Sequence, residues 1–382
     1  MTESFTPDPA APRWSSPASR LPDFPWDLLA AAKAVASDHE DGVVDLSIGT
    51  PVDSVPMAVR NALSAASDAP GYPTVHGQAA LREAYSQWLE RSHGIPDLNP
   101  EYVLPTLGSK ELVASLPAQL GFGPGSVVVI PELAYPTYVV GVLAAGATPV
   151  RADSLTALGP DTPSMIWINS PSNPTGRVLG VPHLAKVVEW ARRRGVVVAS
   201  DECYLDLGWE AQPVSILHPD VSHGDHTGLL AVHSLSKRSN LAGYRAGFVS
   251  GDPEIIGSLI ALRKHLGLIV PTPVQAAATA ALSDDGPVVM QKMRYAKRRD
   301  VLADAFEEAG FRVGEAEGHS AAGLYLWMSR NEPAMKSVEW LAERGILVAP
   351  GTFYGPAGAK HIRVAFTATD ERVAQVAARL TD

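Results

Sequence analysis

The stretch that decides the reading of this chain is His233-Ser234-Leu235-Ser236-Lys237-Arg238-Ser239-Asn240-Leu241-Ala242-Gly243-Tyr244-Arg245-Ala246-Gly247-Phe248. It emerges from the apolar run 228–233, so Lys237 stands just past a predicted buried strand. A buried ammonium loses hydration, which is costly. The same burial lowers the amine's pKa and makes it a nucleophile toward carbonyls. Ser234, Ser236 and Arg245 add donors suited to an oxyanion such as phosphate. A lone lysine is most often a solvated surface residue; the whole string is what gives Lys237 a chemical role.

Upstream, the runs 126–130, 164–169 and 195–200 have the same form: short, continuous, β-branched and bounded by turns. Such runs suit strands buried on both faces. A helical stretch at 181–194 separates two of them, and alternating β and α argues for an α/β sheet, mainly parallel, flanked by helices. Polar residues cluster just past the strand ends, where open α/β sheets hold ligands. After the sheet, a helical region at 287–309 leads to strands predicted at 323–328, 346–349 and 361–366. These form a smaller α+β unit. The division expected is a large domain over 46–275, a small domain from 21–45 and 276–382, and a mobile Pro/Ser/Ala-rich arm over 1–20.

The strand ends carry further motifs. Asn169-Ser-Pro-Ser-Asn173-Pro174-Thr-Gly176 is an Asn-Pro turn, in which a cis bond would aim the Asn173 side chain. Ser200-Asp201-Glu202-Cys203-Tyr204 sets a carboxylate where an ordinary helix cap could also stand. Gly108-Ser109-Lys110 opens a helix, and its backbone N–H groups could hold phosphate. Tyr135 lies in Ala134-Tyr135-Pro136-Thr137, Tyr72 in Gly71-Tyr72-Pro73-Thr74, and Arg363 in a strand from which it could grip a carboxylate in two-pronged fashion.

Taken in order, from about Leu21 to the end, these motifs resemble the class I and II aminotransferases that use pyridoxal 5′-phosphate (PLP) and have fold type I. The resemblance implies PLP as cofactor, held by Lys237 as a Schiff base. It implies that Asp201 pairs with the pyridine nitrogen and that Asn173 and Tyr204 contact the phenolic oxygen. Gly108, Ser109, Lys110, Ser234, Ser236 and Arg245 then surround the phosphate, and Tyr135 stacks on the ring. Arg363 takes the substrate's α-carboxylate beside the backbone of Gly49. Tyr72 reaches the phosphate from a neighbouring subunit, which implies a homodimer. The partners implied are an amino acid and a 2-oxo acid, exchanging the amino group in a ping-pong cycle.

Residues 19–27, Asp45-Leu-Ser-Ile-Gly-Thr-Pro-Val-Asp53 and 69–74 resemble the actinobacterial succinyldiaminopimelate branch of that family. Lys110, Arg20 and Arg177 are candidates for the further carboxylates of such a substrate. An aminotransferase for another substrate, for example an aromatic amino acid or a secondary metabolite, carries the same catalytic set, as does a PLP lyase. A PLP-binding transcription regulator would need a DNA-binding domain, for which a 20-residue arm is too short.

Composition sets the outer limits. Of the 382 residues, 46 % are apolar and 19 % charged, and the net charge is −10. An acidic chain is a poor partner for nucleic acid or anionic membrane. The basic runs 192–194 and 297–299 read as solvated helix faces. One cysteine, Cys203, admits no internal disulfide and suits a cytoplasmic location. No signal peptide or membrane span is expected, and the scattered histidines offer no metal-ligand spacing.

Overall fold

The computed structural model describes residues 16–159, 162–314 and 319–381. Most of the expected mobile arm therefore lies outside the described residues. Its last four residues, Pro17–Arg20, form a 3-10 turn capped by Ser16.

A short strand, β1 (Val44–Asp45), precedes the main sheet. That sheet contains β2 (Val103–Leu107), β3 (Val127–Ile130), β4 (Thr148–Arg151), β5 (Met165–Asn169), β6 (Val197–Asp201), β7 (Leu229–Ser234) and β8 (Ala246–Gly251). Its spatial order is β2-β8-β7-β6-β5-β3-β4. The pairs from β7 through to β4 are parallel, while β8 runs antiparallel to both β7 and β2. The four apolar runs read from sequence are β3, β5, β6 and β7. The strands that escape that reading have a physical signature of their own. β2 and β4 contain Pro105 and Pro149 and are the two edges of the sheet, where a residue lacking an N–H is tolerated.

Alternation along each strand explains the continuous apolar runs. Ile166, Ile168, Val198, Leu229 and Ala231 enter the core on one face, with Tyr85 and Trp88. Met165, Trp167, Ala199, Leu230 and Val232 enter the core on the other, with Leu112 and Tyr138. Successive side chains point to opposite faces, and helices cover both.

The C-terminal sheet comprises β9 (Arg312–Val313), β10 (Tyr325–Ser329), β12 (Ala349–Pro350) and β13 (Ile362–Ala365), while β11 (Ile346–Leu347) pairs with β1. A third core joins Leu29, Ala32, Val44 and Leu46 to residues beyond Tyr295. The early segment thus packs with the end of the chain.

One expectation is corrected. Arg298, in a run read as a solvated face, is 3 % exposed. Its side chain meets both carboxylate oxygens of Asp53 at 2.7 and 2.8 Å and Asp370 at 2.6 Å. The long helix Gly286–Glu308 packs against the helix Asp370–Thr381, and three hydrogen bonds to two carboxylates compensate for the charge it buries there. In the other run, Arg192 is half-buried and donates to the Ser222 carbonyl, whereas Arg193 is exposed.

Candidate active site

The carboxyl ends of β5, β6 and β7 open onto a cavity of about 540 Å³. Gly49, Ser109, Lys110, Tyr135, Asn173, Asp201, Tyr204, Ser234, Ser236, Lys237, Arg245 and Arg363 all line it. Gly108 lies just behind the wall, where a Cβ would collide with the Arg245 guanidinium, and its φ is +79°. Both facts require glycine at this position. Tyr72 is fully exposed and does not line this chain's own cavity. Arg177 lines a different, smaller cavity, and Arg20 is exposed and lines neither.

Lys237 sits in the single helical turn that β7 leads into, and its ammonium donates to the Gly49 carbonyl. Burial lowers its pKa, with Arg363 and Arg245 adding to the effect and Tyr325 and Cys203 opposing it. Asp201 ends β6 and is buried. It accepts from the Tyr138 hydroxyl at 2.8 Å and from the Cys203 N–H at 3.2 Å. Burial raises its pKa, against the lowering effect of those donors. Among the described residues no cationic side chain hydrogen-bonds to it.

Arg363 is 2 % exposed. It donates to Asn173 Oδ1 at 2.8 Å and to the Ser47 carbonyl at 2.6 Å, and its buried Nε–H has no hydrogen-bond partner among the described residues. The Asn173-Pro174 bond is cis. Asn169 anchors that turn. Its Oδ1 accepts from the Asn173 N–H at 2.7 Å, and its amide donates to the Asp201 carbonyl at 3.0 Å. At the phosphate-like end, the Cys203 thiol donates to Ser109 Oγ at 3.2 Å, and the Ser236 N–H donates to Ser234 Oγ.

Two residues of this site were not singled out from sequence. Tyr138 is one turn on from Tyr135 at the start of a helix, and that spacing alone could have flagged it as sharing a face. Tyr325 stands in β10, where Trp327 pairs directly with Arg363. Alternation puts Tyr325 on the same face, diagonal to the arginine. The approach of Phe24 and Trp26 to the cavity could not be read from sequence, because it depends on long-range packing.

A family model for aminotransferase class I and II matches residues 41–380. The chain is a class I and II aminotransferase. It is 61 % identical to a probable aminotransferase of Mycobacterium tuberculosis, over 97 % of this chain and 88 % of that one. It is 56 % identical to the 4-dedimethylamino-4-oxo-anhydrotetracycline transaminase of Streptomyces rimosus, over 94 % and 99 %. An LL-diaminopimelate aminotransferase of Dehalococcoides mccartyi is 32 % identical, over 94 % and 96 %. Among solved structures, an aminotransferase of Neisseria meningitidis is 25 % identical, with a TM-score of 0.86 over 96 % and 98 % of the two chains. This aminotransferase is accordingly PLP-dependent and an α/β protein of that fold.

The donor set suits PLP. A buried amine of lowered pKa can condense with an aldehyde. A buried carboxylate that has hydroxyl and amide donors but no cation suits a protonated ring nitrogen. The glycine-opened helix start beside Arg245 suits a phosphate. Among the described residues no helix is long and apolar enough to cross a membrane.

Proposed function

We propose that this aminotransferase moves an amino group between N-succinyl-LL-2,6-diaminopimelate and 2-oxoglutarate, in lysine and diaminopimelate synthesis in the cytoplasm. The carrying observation is a large cavity with a cation at each depth. Arg363 is buried in its floor, and Lys110 stands exposed at its rim without a carboxylate partner among the described residues. A substrate with carboxylates at both ends would meet a cation at each. The likeness to LL-diaminopimelate aminotransferases supports the same reading.

In this reading Arg363 orients the substrate's α-carboxylate, with Asn173 and the Gly49 backbone beside it. Asn173 and Tyr204 hold the cofactor's phenolic oxygen. Lys237 holds PLP covalently, and Asp201 keeps its ring nitrogen protonated. When bound, PLP supplies an electron-accepting ring. Gly108, Ser109, Ser234, Ser236 and Arg245 secure the phosphate end, which leaves Lys110 for the distal carboxylate, while Tyr135 limits tilt of the ring. Once the substrate's amine has displaced it from the cofactor, the free Lys237 Nζ would take the proton from the substrate Cα in one half-reaction and return one in the other. The Tyr72 hydroxyl is supplied to a second copy's cavity in a homodimer.

A second reading, an aminotransferase for an aromatic or polycyclic secondary-metabolite substrate, is favoured by a different observation. Phe24, Trp26, Ile48, Val113 and Val140 give the outer cavity an apolar wall, and the Streptomyces relative is named for such a ketone. The deciding experiment is a half-reaction of the PLP-loaded protein, followed by its visible absorbance. Rapid conversion with both N-succinyl-LL-diaminopimelate and glutamate supports the first reading. Conversion with glutamate or an aromatic amino acid, but not with the succinylated substrate, excludes it.

A further inference from the structure

We propose that Tyr325 is a positioning residue of the reaction centre, its ring setting the Arg363 guanidinium and its hydroxyl setting Tyr204. The inference rests on the roles given above to Arg363 and Tyr204. None of the sequence motifs includes Tyr325.

Three observations meet on this one side chain. Its ring lies under the Arg363 guanidinium, with the central carbon 3.8 Å from the ring centroid. Trp26 and Tyr354 also approach that guanidinium, but at 6.0 and 4.9 Å. A face contact this close, away from water, restrains the plane in which a planar fork meets a carboxylate. Arg363 has two other fixed points, Asn173 and Ser47, so the ring closes the third side.

Secondly, the Tyr325 and Tyr204 hydroxyls lie 3.1 Å apart in a buried pair. Either hydroxyl can be the donor in this pair. When Tyr204 donates to the cofactor's phenolic oxygen, as assigned above, Tyr325 is left to donate to Tyr204, and a phenol that accepts a hydrogen bond is the stronger donor. In that arrangement Tyr325 polarises Tyr204 toward the oxygen that accepts from it. Thirdly, Gly49 is constrained by the same residue, since a Cβ there would meet the Tyr325 hydroxyl at 2.5 Å. The residue whose carbonyl receives Lys237 is thus held to glycine by the same hydroxyl that meets Tyr204.

Two cations and a ring of phenols surround the Tyr325 hydroxyl. Burial would raise the Tyr325 phenol's pKa, but the Arg363 and Lys237 charges and the hydrogen bond with Tyr204 hold it below the ordinary tyrosine value. The titratable groups around it are those two cations, together with Cys203, Tyr204, Tyr135, Tyr354 and Tyr295.

The test separates the ring from the hydroxyl. In PLP-loaded Tyr325→Phe, the KM for the amino donor stays within about twofold, because the ring face remains. In Tyr325→Leu it rises about tenfold. The pH titration of the bound cofactor's visible absorbance reads the hydroxyl. Losing a donor to an anionic oxygen disfavours the deprotonated form, so the midpoint moves upward in Tyr204→Phe and in Tyr325→Phe. The double variant shifts no further than Tyr204→Phe alone, because the two act in series. Additive shifts, an unmoved Tyr325→Phe midpoint or equal KM values for the Phe and Leu variants overturn the proposal. An unmoved Tyr204→Phe midpoint instead removes the role given to Tyr204 and, with it, the hydroxyl half of this one. Thermal unfolding of each variant identifies any that do not fold.

Discussion

At the scale of single residues, the site is a set of costly placements that a ligand would relieve. Lys237 is an amine whose protonated form burial disfavours. The reactive neutral amine therefore appears at lower pH than in a solvated lysine. Stopped-flow mixing of apoprotein with PLP should show covalent capture accelerating with pH, with a midpoint below that of free lysine. Lys237→Ala should bind PLP without covalent capture and lose at least about a hundredfold in turnover. Asp201 has the complementary property. It is a carboxylate that burial pushes toward neutrality and that Tyr138 and the Cys203 N–H partly restore. These identities were legible because each follows a strand end. Tyr138 and Tyr325 were not, because an aromatic on a buried face reads as core until its neighbours are known.

At the scale of elements, buried ion pairs tie the loops of the site to helices outside it. The loop carrying Gly49 ends at Asp53, which Arg298 holds through two hydrogen bonds and Gln291 through a third at 2.7 Å. Asp53→Asn should let that loop drift, raising the KM for the amino donor about tenfold while leaving PLP affinity within about twofold, a split that steady-state kinetics and PLP titration would read. The turn carrying Lys237 is fixed next door. Arg238 is 3 % exposed and pairs with Asp206 at 2.8 Å and Asp285 at 3.0 Å. Burial would raise the Asp206 pKa, but Arg238 and His93 hold it well below the usual carboxylate range. A depressed carboxylate stabilises the fold fully above its unfolded pKa, about 3.9, and that stability is lost as pH falls through the folded value. Asp206→Asn should therefore cost about 3 kcal/mol in urea unfolding at neutral pH. The gap to the parent should persist down to about pH 4 and close only below it.

At the scale of the whole molecule, the tyrosine read as crossing to a neighbour is fully exposed on its own chain. Tyr72→Phe should lose PLP about tenfold faster on dialysis. Mixing it with Lys237→Ala should restore one competent site per hybrid pair, because each partner supplies what the other lacks. Activity that fails to return on mixing would place Tyr72 outside the neighbouring site. Sequence by itself determined the α/β class, the buried central strands and the order of the strand-end motifs, because burial on both faces and ligand chemistry leave local signatures in residue type and spacing. The proline-bearing edge strands, the burial of Arg298, the exposed setting of Tyr72, and the meeting of Tyr325 with Arg363 and Gly49 were decided only by the tertiary structure. Each depends on which distant segments pack together, here β10 against β13 and the loop at Gly49 against both, and no local spacing encodes that register.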